Sequence, residues 1–309
     1  MKDFLARFQK EASRALIDRY EEVALALCCF VAGGNLLIED TPGVGKTTLV
    51  KVMARLLGLD FKRVQFTNDL LPSDILGGRV FDATRGTFSF HPGPIFAQLV
   101  LGDELNRASP RTQSAALQAM DEHEVTIEGE THLLPSPFLF VGTQNPREHA
   151  GTAPLPESQL DRFLMRIALG QPSRETRRKL LDRARTRSSG ITFDFSTLTP
   201  LADPPELLVW QAECSSVHVA EPVSNFILDL LEAAERRGGE LSPRAALGLQ
   251  RAAQARAYLE GREHVRPDDI VSLFCPVAVH RMGRLASTAG GDGKALGVAR
   301  EVLAEVRSP

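Results

Sequence analysis

The sequence predicts an α/β domain built on a five-stranded parallel sheet, followed by an all-helical domain. Before about residue 170, short apolar runs alternate with amphipathic helical stretches, which is typical of a parallel sheet covered by helices. After that point the strand patterns nearly vanish and helical patterns replace them. We therefore predict domains at residues 1–170 and 171–309, with the junction at 171–173.

The five strands are predicted from short, mostly apolar runs. These runs lie at residues 35–39, 63–66, 98–102, 137–142 and 166–169. Strands covered on both faces have this character. Because ligands bind beyond the carboxyl ends of the strands in an open parallel sheet, the residues that follow each run are the first candidates for a site.

The helical half and two hairpins are predicted from periodicity and turn residues. The helices are expected at 174–187, 205–214, 223–237, 243–259 and 267–284, the last one kinked or broken by Pro276. Ser109 and Ser242 each precede a proline and are expected to cap a helix. The hairpins are expected at 79–91, with a turn near 85–86, and at 124–133, with a turn at 128–129. A plain surface hairpin is the alternative for each.

Composition excludes several classes of protein. The formal net charge of −3 gives no electrostatic footprint for nucleic acid on the whole molecule. No stretch reaches the roughly 18 apolar residues needed to span a membrane. The first residues lack the apolar core of a signal peptide. A cytoplasmic protein without membrane insertion is the expectation.

A glycine-rich turn between a predicted strand and a predicted helix is the strongest local motif. It reads Leu36-Leu37-Ile38-Glu39-Asp40-Thr41-Pro42-Gly43-Val44-Gly45-Lys46-Thr47-Thr48. Glycines let backbone N–H groups crowd around phosphate oxygens, and the helix N-terminus adds its positive end. Lys46 would reach the β and γ phosphates, and the Thr47 hydroxyl would ligate Mg²⁺. We therefore predict a magnesium–ATP site with nucleotide contacts from Pro42, Gly43, Val44, Gly45, Lys46, Thr47 and Thr48.

Asp40 departs from the usual pattern of such a loop, which has glycine six residues before the lysine. Asp tolerates left-handed backbone better than most residues, so the loop is still expected to form. A strand–helix turn that binds no ligand is the alternative.

Polar side chains follow two further predicted strands. Asp103 and Glu104 end the run at 98–102, where Asp103 would hold Mg²⁺ through water and Glu104 would activate the attacking water. Asn145 follows the run at 137–142 and would position that water. Two acids at a helix start, and a turn-forming Asn before Pro146, are the alternatives.

Two arginines complete the candidate set. Arg162 follows Asp161 and would reach the phosphate of a neighbouring subunit, or would form a salt bridge with Asp161 or Glu157. Arg244 lies in the first turn of a predicted helix, where a cation opposes the helix dipole. A bound phosphate would relieve that cost, and a solvated arginine is the alternative.

Together these motifs resemble those of the MoxR family of AAA+ ATPases, in the helix-2-insert clade. The matching segments are Ile38-Glu39-Asp40-Thr41-Pro42-Gly43-Val44-Gly45-Lys46-Thr47, Asp103-Glu104-Leu105-Asn106-Arg107-Ala108, Thr112-Gln113-Ser114, Thr143-Gln144-Asn145-Pro146 and Leu155-Pro156-Glu157-Ser158-Gln159-Leu160-Asp161-Arg162-Phe163. Their order and spacing agree, and the resemblance covers almost the whole chain.

The resemblance implies an AAA+ core with a helical lid. It implies that 79–91 is the helix-2 insert and 124–133 the pre-sensor-1 hairpin. It implies that Asn145 is sensor 1, Arg162 an arginine finger acting in trans, and Arg244 sensor 2. It further implies homo-hexameric rings that act as chaperone-like maturation factors, with partners carrying a von Willebrand factor A domain.

Two other readings remain open at this stage. One is a DNA-translocating motor or a magnesium-chelatase subunit, which the acidic segment 124–132 disfavours because a DNA motor needs basic hairpins. The other is a nucleotide-gated scaffold with little turnover, which Glu104, Asn145 and Arg162 argue against.

Overall fold

A five-stranded parallel sheet forms the centre of the N-terminal half. The structure, a computed structural model, describes residues 1–82, 86–145, 153–186, 193–282 and 291–309. The strands are β1 (Leu36–Glu39), β2 (Phe61–Gln65), β3 (Gly77–Asp82), β4 (Thr87–Pro92), β5 (Leu99–Asp103), β6 (Glu124–Ile127), β7 (Glu130–Leu133), β8 (Leu139–Gln144) and β9 (Met165–Ile167). The sheet has the order β2-β5-β8-β1-β9, and each neighbouring pair is parallel.

The predicted sheet is confirmed, with strand ends that differ by at most two residues. β2 begins at Phe61 rather than at residue 63, because Phe61 pairs with Leu99 at the start of β5. β9 ends at Ile167, since its partner β1 offers Ile38 as the last paired residue. Pairing partners elsewhere in the chain set these ends, and a local apolar run does not reveal them.

Helices cover the sheet and form the C-terminal part. Those of the N-terminal half are α1 (Lys2–Ala12), α2 (Tyr20–Val31), α3 (Lys46–Leu56), α4 (Pro72–Leu76), α5 (Pro110–Glu122) and α6 (Glu157–Leu160). The C-terminal helices are α7 (Arg174–Thr186), α8 (Pro204–Ser215), α9 (Glu221–Arg236), α10 (Pro243–Leu259), α11 (Pro267–Ala278) and α12 (Gly291–Glu305).

The prediction of a single helix over 267–284 is wrong at its end. Residues of α11 remain helical through Pro276, and the α-helix ends at Ala278. A 3-10 turn, Val279–Arg281, follows it. Pro276 was expected to kink or break the helix, and the α-helix ends two residues after it. The predicted ends at 187 and 284 lie outside the described residues.

The two serines predicted as helix caps behave differently. Ser109 precedes α5 and its hydroxyl accepts from the Thr112 N–H at 3.3 Å, as expected. Ser242 is the N-cap of α10 and is followed by Pro243, as predicted, but its side chain makes no capping bond. Its hydroxyl donates to the Asp161 carboxylate instead, at 3.0 Å.

Both hairpins are antiparallel pairs. β3 pairs with β4 and β6 with β7. The turn of the second hairpin has positive φ at Glu128 and Gly129, as a two-residue type I′ turn requires. In the first hairpin, Gly86 has φ +65°, whereas residue 85 lies outside the described residues.

The core follows the alternation of side chains along the strands. On one sheet face, Leu37, Val100 and Phe140 pack with α5 residues such as Leu117. On the other face, alternate strand residues pack against α1, α2 and α3, and the same buried cluster continues into the C-terminal helices. The helices after residue 171 therefore share a core with the sheet. Among the described residues, no helix is long and apolar enough to cross a bilayer.

Candidate functional site

The loop between β1 and α3 has the backbone of a phosphate-binding loop. Gly43 and Gly45 have φ of +83° and +105°, values that side chains rarely allow. Gly45 is the N-cap of α3 and makes no side-chain capping bond. The N–H groups of the first turn therefore point beyond the helix end, where an anion would meet them. The predicted nucleotide contacts from Pro42 to Thr48 all lie in this loop and first turn.

Lys46 lies between the carboxyl ends of β1 and β8. Its ammonium donates to the Asp40 carbonyl at 2.6 Å and to the Gln144 carbonyl at 3.5 Å. Both carbonyls belong to residues at the strand edge that the sequence singled out. The cation thus stands at the mouth of the loop, beside the place that the helix N-terminus favours for phosphate.

The loop forms with Asp40 in place of the usual glycine, as expected, although Asp40 itself does not use left-handed backbone. Its side chain instead accepts from the Thr41 N–H at 2.7 Å and from the Gly170 N–H at 2.6 Å. Gln171 donates to the Thr41 hydroxyl at 3.0 Å. These bonds tie the loop to the chain segment that leads into α7.

Asp103 and Glu104 lie at the carboxyl end of β5, and a hydroxyl joins them. Thr143, which is fully buried on the neighbouring strand β8, donates to the Asp103 carboxylate at 2.6 Å. The same hydroxyl accepts from the Glu104 N–H at 2.9 Å. Glu104 has φ +59°, a left-handed turn that directs its side chain away from the strand path. Asp103 is buried, whereas Glu104 is partly open to solvent.

Strand β2 supplies two further partners that the sequence did not reveal. Arg63 donates to the Asp103 carboxylate at 2.7 and 3.1 Å. The Gln65 amide donates to the Glu104 carboxylate at 2.9 Å, and Arg107 pairs with the same oxygen at 3.3 Å. Both carboxylates are therefore held by donors, and the alternation of polar residues in β2 was the one signal available from the sequence.

Asn145 follows directly after β8 and is buried. The register of the sheet places Gln144 opposite Glu39, so Asn145 lies beside Asp40 at the start of the loop. The structure thus brings Lys46, Asp103, Glu104 and Asn145 to one edge of the sheet. Pro146, which follows in the motif, lies outside the described residues.

Arg162 and Arg244 lie at the opposite edge of the sheet. Both line a cleft of about 320 Å³ together with Gly34 and Asn35, which precede β1. Arg162 donates to the Leu117 carbonyl at 2.7 Å. The alternative for Arg162 was a salt bridge with Asp161 or Glu157, but Asp161 pairs with Arg281 instead, at 3.2 Å.

Arg244 lies away from the phosphate-binding loop of its own chain. Arg244 is exposed and pairs with Asp121 at 3.4 Å, near the C-terminal end of α5. β1 separates this cleft from Lys46, and four strand residues span about 13 Å. The shared core described above sets this placement, because it packs α10 against α2 and α8 on one side of the sheet.

The residues present fit a hydrated magnesium ion bound with a nucleotide. Thr47 lies in the first turn of α3, and Asp103 offers a buried carboxylate at the adjacent strand end. Among the described residues no three His, Cys, Asp or Glu side chains cluster as a metal site. Mg²⁺ keeps several waters and takes one or two protein ligands beside substrate phosphates, so a hydroxyl and one carboxylate are enough to hold it.

Comparison with known proteins gives consistent matches. Residues 35–165 match the ATPase family associated with various cellular activities (AAA), and residues 232–297 match the AAA lid domain. The chain is 36% identical over 285 residues to Chaperone MoxR1 of Mycobacterium tuberculosis, covering 88% of this chain and 74% of that protein. It is 38% identical over 309 residues to the uncharacterized protein YeaC of Bacillus subtilis, covering 99% and 95% respectively.

A solved structure agrees with these matches. A crystal structure of a candidate ATPase from Cytophaga hutchinsonii superposes with a TM-score of 0.87 at 31% sequence identity. The match covers 100% of this chain and 96% of that one. The fold therefore extends over both the sheet and the C-terminal helices of that protein.

Proposed function

The chain belongs to the MoxR family of AAA+ ATPases, and on that premise we propose that it hydrolyses ATP on magnesium within a ring of identical subunits. One observation carries the proposal. Lys46, Asp103, Glu104 and Asn145 gather at one edge of the sheet, while Arg162 and Arg244 gather at the other. The two groups are complementary halves of a site for phosphoryl transfer, which needs chiefly positioning and charge stabilisation.

Each residue of the first group has a role that its position supports. The loop N–H groups and Lys46 bind the phosphates, and Thr47 with Asp103 would hold the ion. Mg²⁺, when bound, neutralises charge on the β and γ phosphate oxygens. Glu104, directed off the strand by its left-handed backbone, orients and activates the attacking water. Asn145 holds that water from the neighbouring strand end.

Arg162 and Arg244 act on the nucleotide of a neighbouring subunit. Neither can reach the phosphates bound at Lys46 of its own chain, because the length of β1 lies between them. A head-to-tail interface brings the arginine edge of one subunit to the phosphate edge of the next, and repetition of that interface closes a ring. We propose a homo-hexamer, and this assignment makes both arginines trans-acting.

The proposed biological role is remodelling or maturation of a protein client in the cytoplasm. The relative Chaperone MoxR1 is described as a chaperone in its name, which supports a role on protein clients. The family resemblance adds a partner with a von Willebrand factor A domain. Nucleic acid is disfavoured as the client because Arg79 of the first hairpin is paired with Glu128 and Glu130 of the second. An arginine neutralised in this way offers little to phosphates.

Steady-state ATP hydrolysis of wild type and Glu104→Gln tests the catalytic assignment. Wild type is expected to hydrolyse ATP, and the variant to bind it without turnover, because an amide cannot activate water. Size-exclusion chromatography with and without magnesium–ATP reports the assembly. If both proteins bind ATP and neither turns it over even when assembled, the protein is a nucleotide-gated scaffold.

Mixing variants tests action in trans. Arg162→Ala subunits retain their own loop, and Glu104→Gln subunits retain their own arginines. Each variant alone is expected to be inactive, with a loss for the arginine variant of about 10³-fold or more. A mixture is expected to regain hydrolysis, since an intact finger from one variant then meets an intact carboxylate of the other. A mixture as inactive as its components contradicts the trans assignment.

A further inference from the structure

The backbone around Arg162 is held by the C-terminal helices. The Phe163 carbonyl accepts two hydrogen bonds, one from His280 Nε2 at 2.9 Å and one from the Arg281 guanidinium at 2.8 Å. All three residues are buried. We call residues 161–163 the finger loop. Its C-terminal side is therefore fixed to the 3-10 turn after α11.

The N-terminal side of the finger loop is held by the same turn and by the start of α10. Arg281 donates to the Asp161 carbonyl at 3.2 Å, and its Nε pairs with the Asp161 carboxylate at 3.2 Å. The Ser242 hydroxyl donates to both oxygens of that carboxylate at 3.0 Å. Arg281 thus contacts the residues on both sides of Arg162.

Burial of the charged Arg281 side chain costs free energy. It is 8% exposed, and burial lowers the pKa of its guanidinium to about 10. Buried ion pairs seldom stabilise a fold more than apolar residues of similar size would. The burial of Arg281 therefore fits a role in fixing the geometry of the finger loop. Arg251 lines the same cleft yet donates to the Ala32 carbonyl, away from the finger loop.

We propose that Arg281 is the positioning residue of the arginine finger. It holds the backbone on both sides of Arg162, so that the side chain can leave the Leu117 carbonyl and turn to a neighbour's phosphate without movement of the loop. The inference rests on the proposed trans action of Arg162. Ser242 and Arg244 both lie at the start of α10. The contacts of Asp161 with Arg281 and Ser242 therefore fix Arg162 and Arg244 relative to the C-terminal helices.

The contacts of Arg281 with the finger loop connect the C-terminal helices of one subunit to the nucleotide site of the next subunit in the proposed ring. A shift of the C-terminal helices in one subunit moves the finger loop that serves the next subunit, since the two are joined by buried hydrogen bonds.

Complementation separates this role from a general effect on folding. Arg281→Gln is expected to lower ATP hydrolysis at least tenfold while binding of a fluorescent ATP analogue is unchanged. Mixed with Glu104→Gln it is expected to regain activity, because about a quarter of the interfaces in a randomly mixed ring then pair a sound finger with a sound loop. Mixed with Arg162→Ala it is expected to stay inactive, since both lack a working finger.

Two further variants keep the test decisive. Arg251→Gln removes another arginine of the cleft and is expected to retain hydrolysis near wild type. Ser242→Ala removes one bond to Asp161 and is expected to lose activity severalfold with the same complementation pattern, so it serves if Arg281→Gln fails to fold. Wild-type rates in both Ser242→Ala and a folded Arg281→Gln overturn the proposal. The proposal is also overturned if Glu104→Gln restores activity to Arg162→Ala but not to Arg281→Gln or Ser242→Ala. If Glu104→Gln does not restore activity to Arg162→Ala, the trans assignment of Arg162 is overturned instead.

Discussion

At the scale of single residues, the Thr143 hydroxyl stands out because it contacts both acidic residues of the site. It donates to the Asp103 carboxylate and accepts from the Glu104 N–H, so one buried atom fixes the Asp103 carboxylate relative to the backbone of Glu104. β8 brings it there because Gly142 pairs with Gly102, which places the next residues of the two strands side by side. A hydroxyl is required at this point, because the same group must donate to the Asp103 carboxylate and accept from the Glu104 N–H.

Thr143→Val is the matching test. The isosteric change leaves a carboxylate oxygen and a backbone N–H without their partner, at a cost of about 1–3 kcal/mol in the free energy of unfolding. We expect the kcat of ATP hydrolysis to fall as well, with the Kd for nucleotide little changed because Lys46 is untouched. Urea denaturation and steady-state kinetics measure both effects. Thr143→Ser keeps the hydroxyl and serves as the control; a valine variant at wild-type rate refutes the role.

The sequence predicts some residues of the site and misses others for a physical reason. Lys46, Asp103 and Glu104 are recognisable because each follows a strand within one short motif, and strand ends of a parallel sheet meet at one edge. Arg63 and Arg281 are not, since each meets a partner 40 or more residues away and no local pattern marks it. The placement of Arg244 likewise depends on how whole helices pack.

At the scale of elements, the two hairpins form one unit. Arg79 of β3 pairs with Glu130 at 3.1 Å and with Glu128 at 3.6 Å. The Phe90 ring of β4 stacks on His132 of β7, with 3.9 Å between ring centroids. Two-stranded hairpins are marginal alone, so mutual support is what orders them.

Arg79→Ala tests this coupling. Exposed ion pairs contribute little to global stability, so the melting temperature is expected to change by no more than about 2 °C. Amide hydrogen exchange over residues 124–133 is expected to rise severalfold, because β6 and β7 lose a partner from β3. Arg79→Lys keeps the charge and should show a smaller rise. Unchanged exchange in the alanine variant means that the hairpins are ordered independently.

Elements also show where local patterns fail. The sheet and most helices are predictable from apolar periodicity. Helix α12 is not predictable in this way, because its sequence contains Gly293 and Gly297. Each glycine destabilises a helix by about 1 kcal/mol relative to alanine. Burial of Ala295, Ala299 and Val302 against α9 and α11 outweighs that cost. Tertiary packing of this kind has no signature within the segment itself.

At the scale of the whole molecule, one buried cluster runs from the sheet through α1 and α2 into the C-terminal helices. The change of pattern near residue 170 predicts two domains, and that boundary remains a prediction. The shared core explains how the C-terminal helices fix the finger loop. His280 lies at this join, where its Nε2 bonds the Phe163 carbonyl. Its protonation state therefore links pH to the contact between the two halves.

Burial lowers the pKa of His280 well below its usual value, with the neighbouring Arg281 adding to the effect, so the ring is neutral in the folded protein. The unfolded chain binds a proton near pH 6.5 that the folded chain does not, so stability is full above that pH and is lost as pH falls. From pH 7.5 to 5.5 this one residue contributes a loss of about 1.4 kcal/mol. Urea denaturation across that range measures it, and His280→Gln, which keeps a donor without titrating, is expected to show a correspondingly shallower loss. An equal pH dependence in the two proteins would mean that His280 gains its proton in the folded protein at the same pH as in the unfolded chain, so that its burial does not lower its pKa.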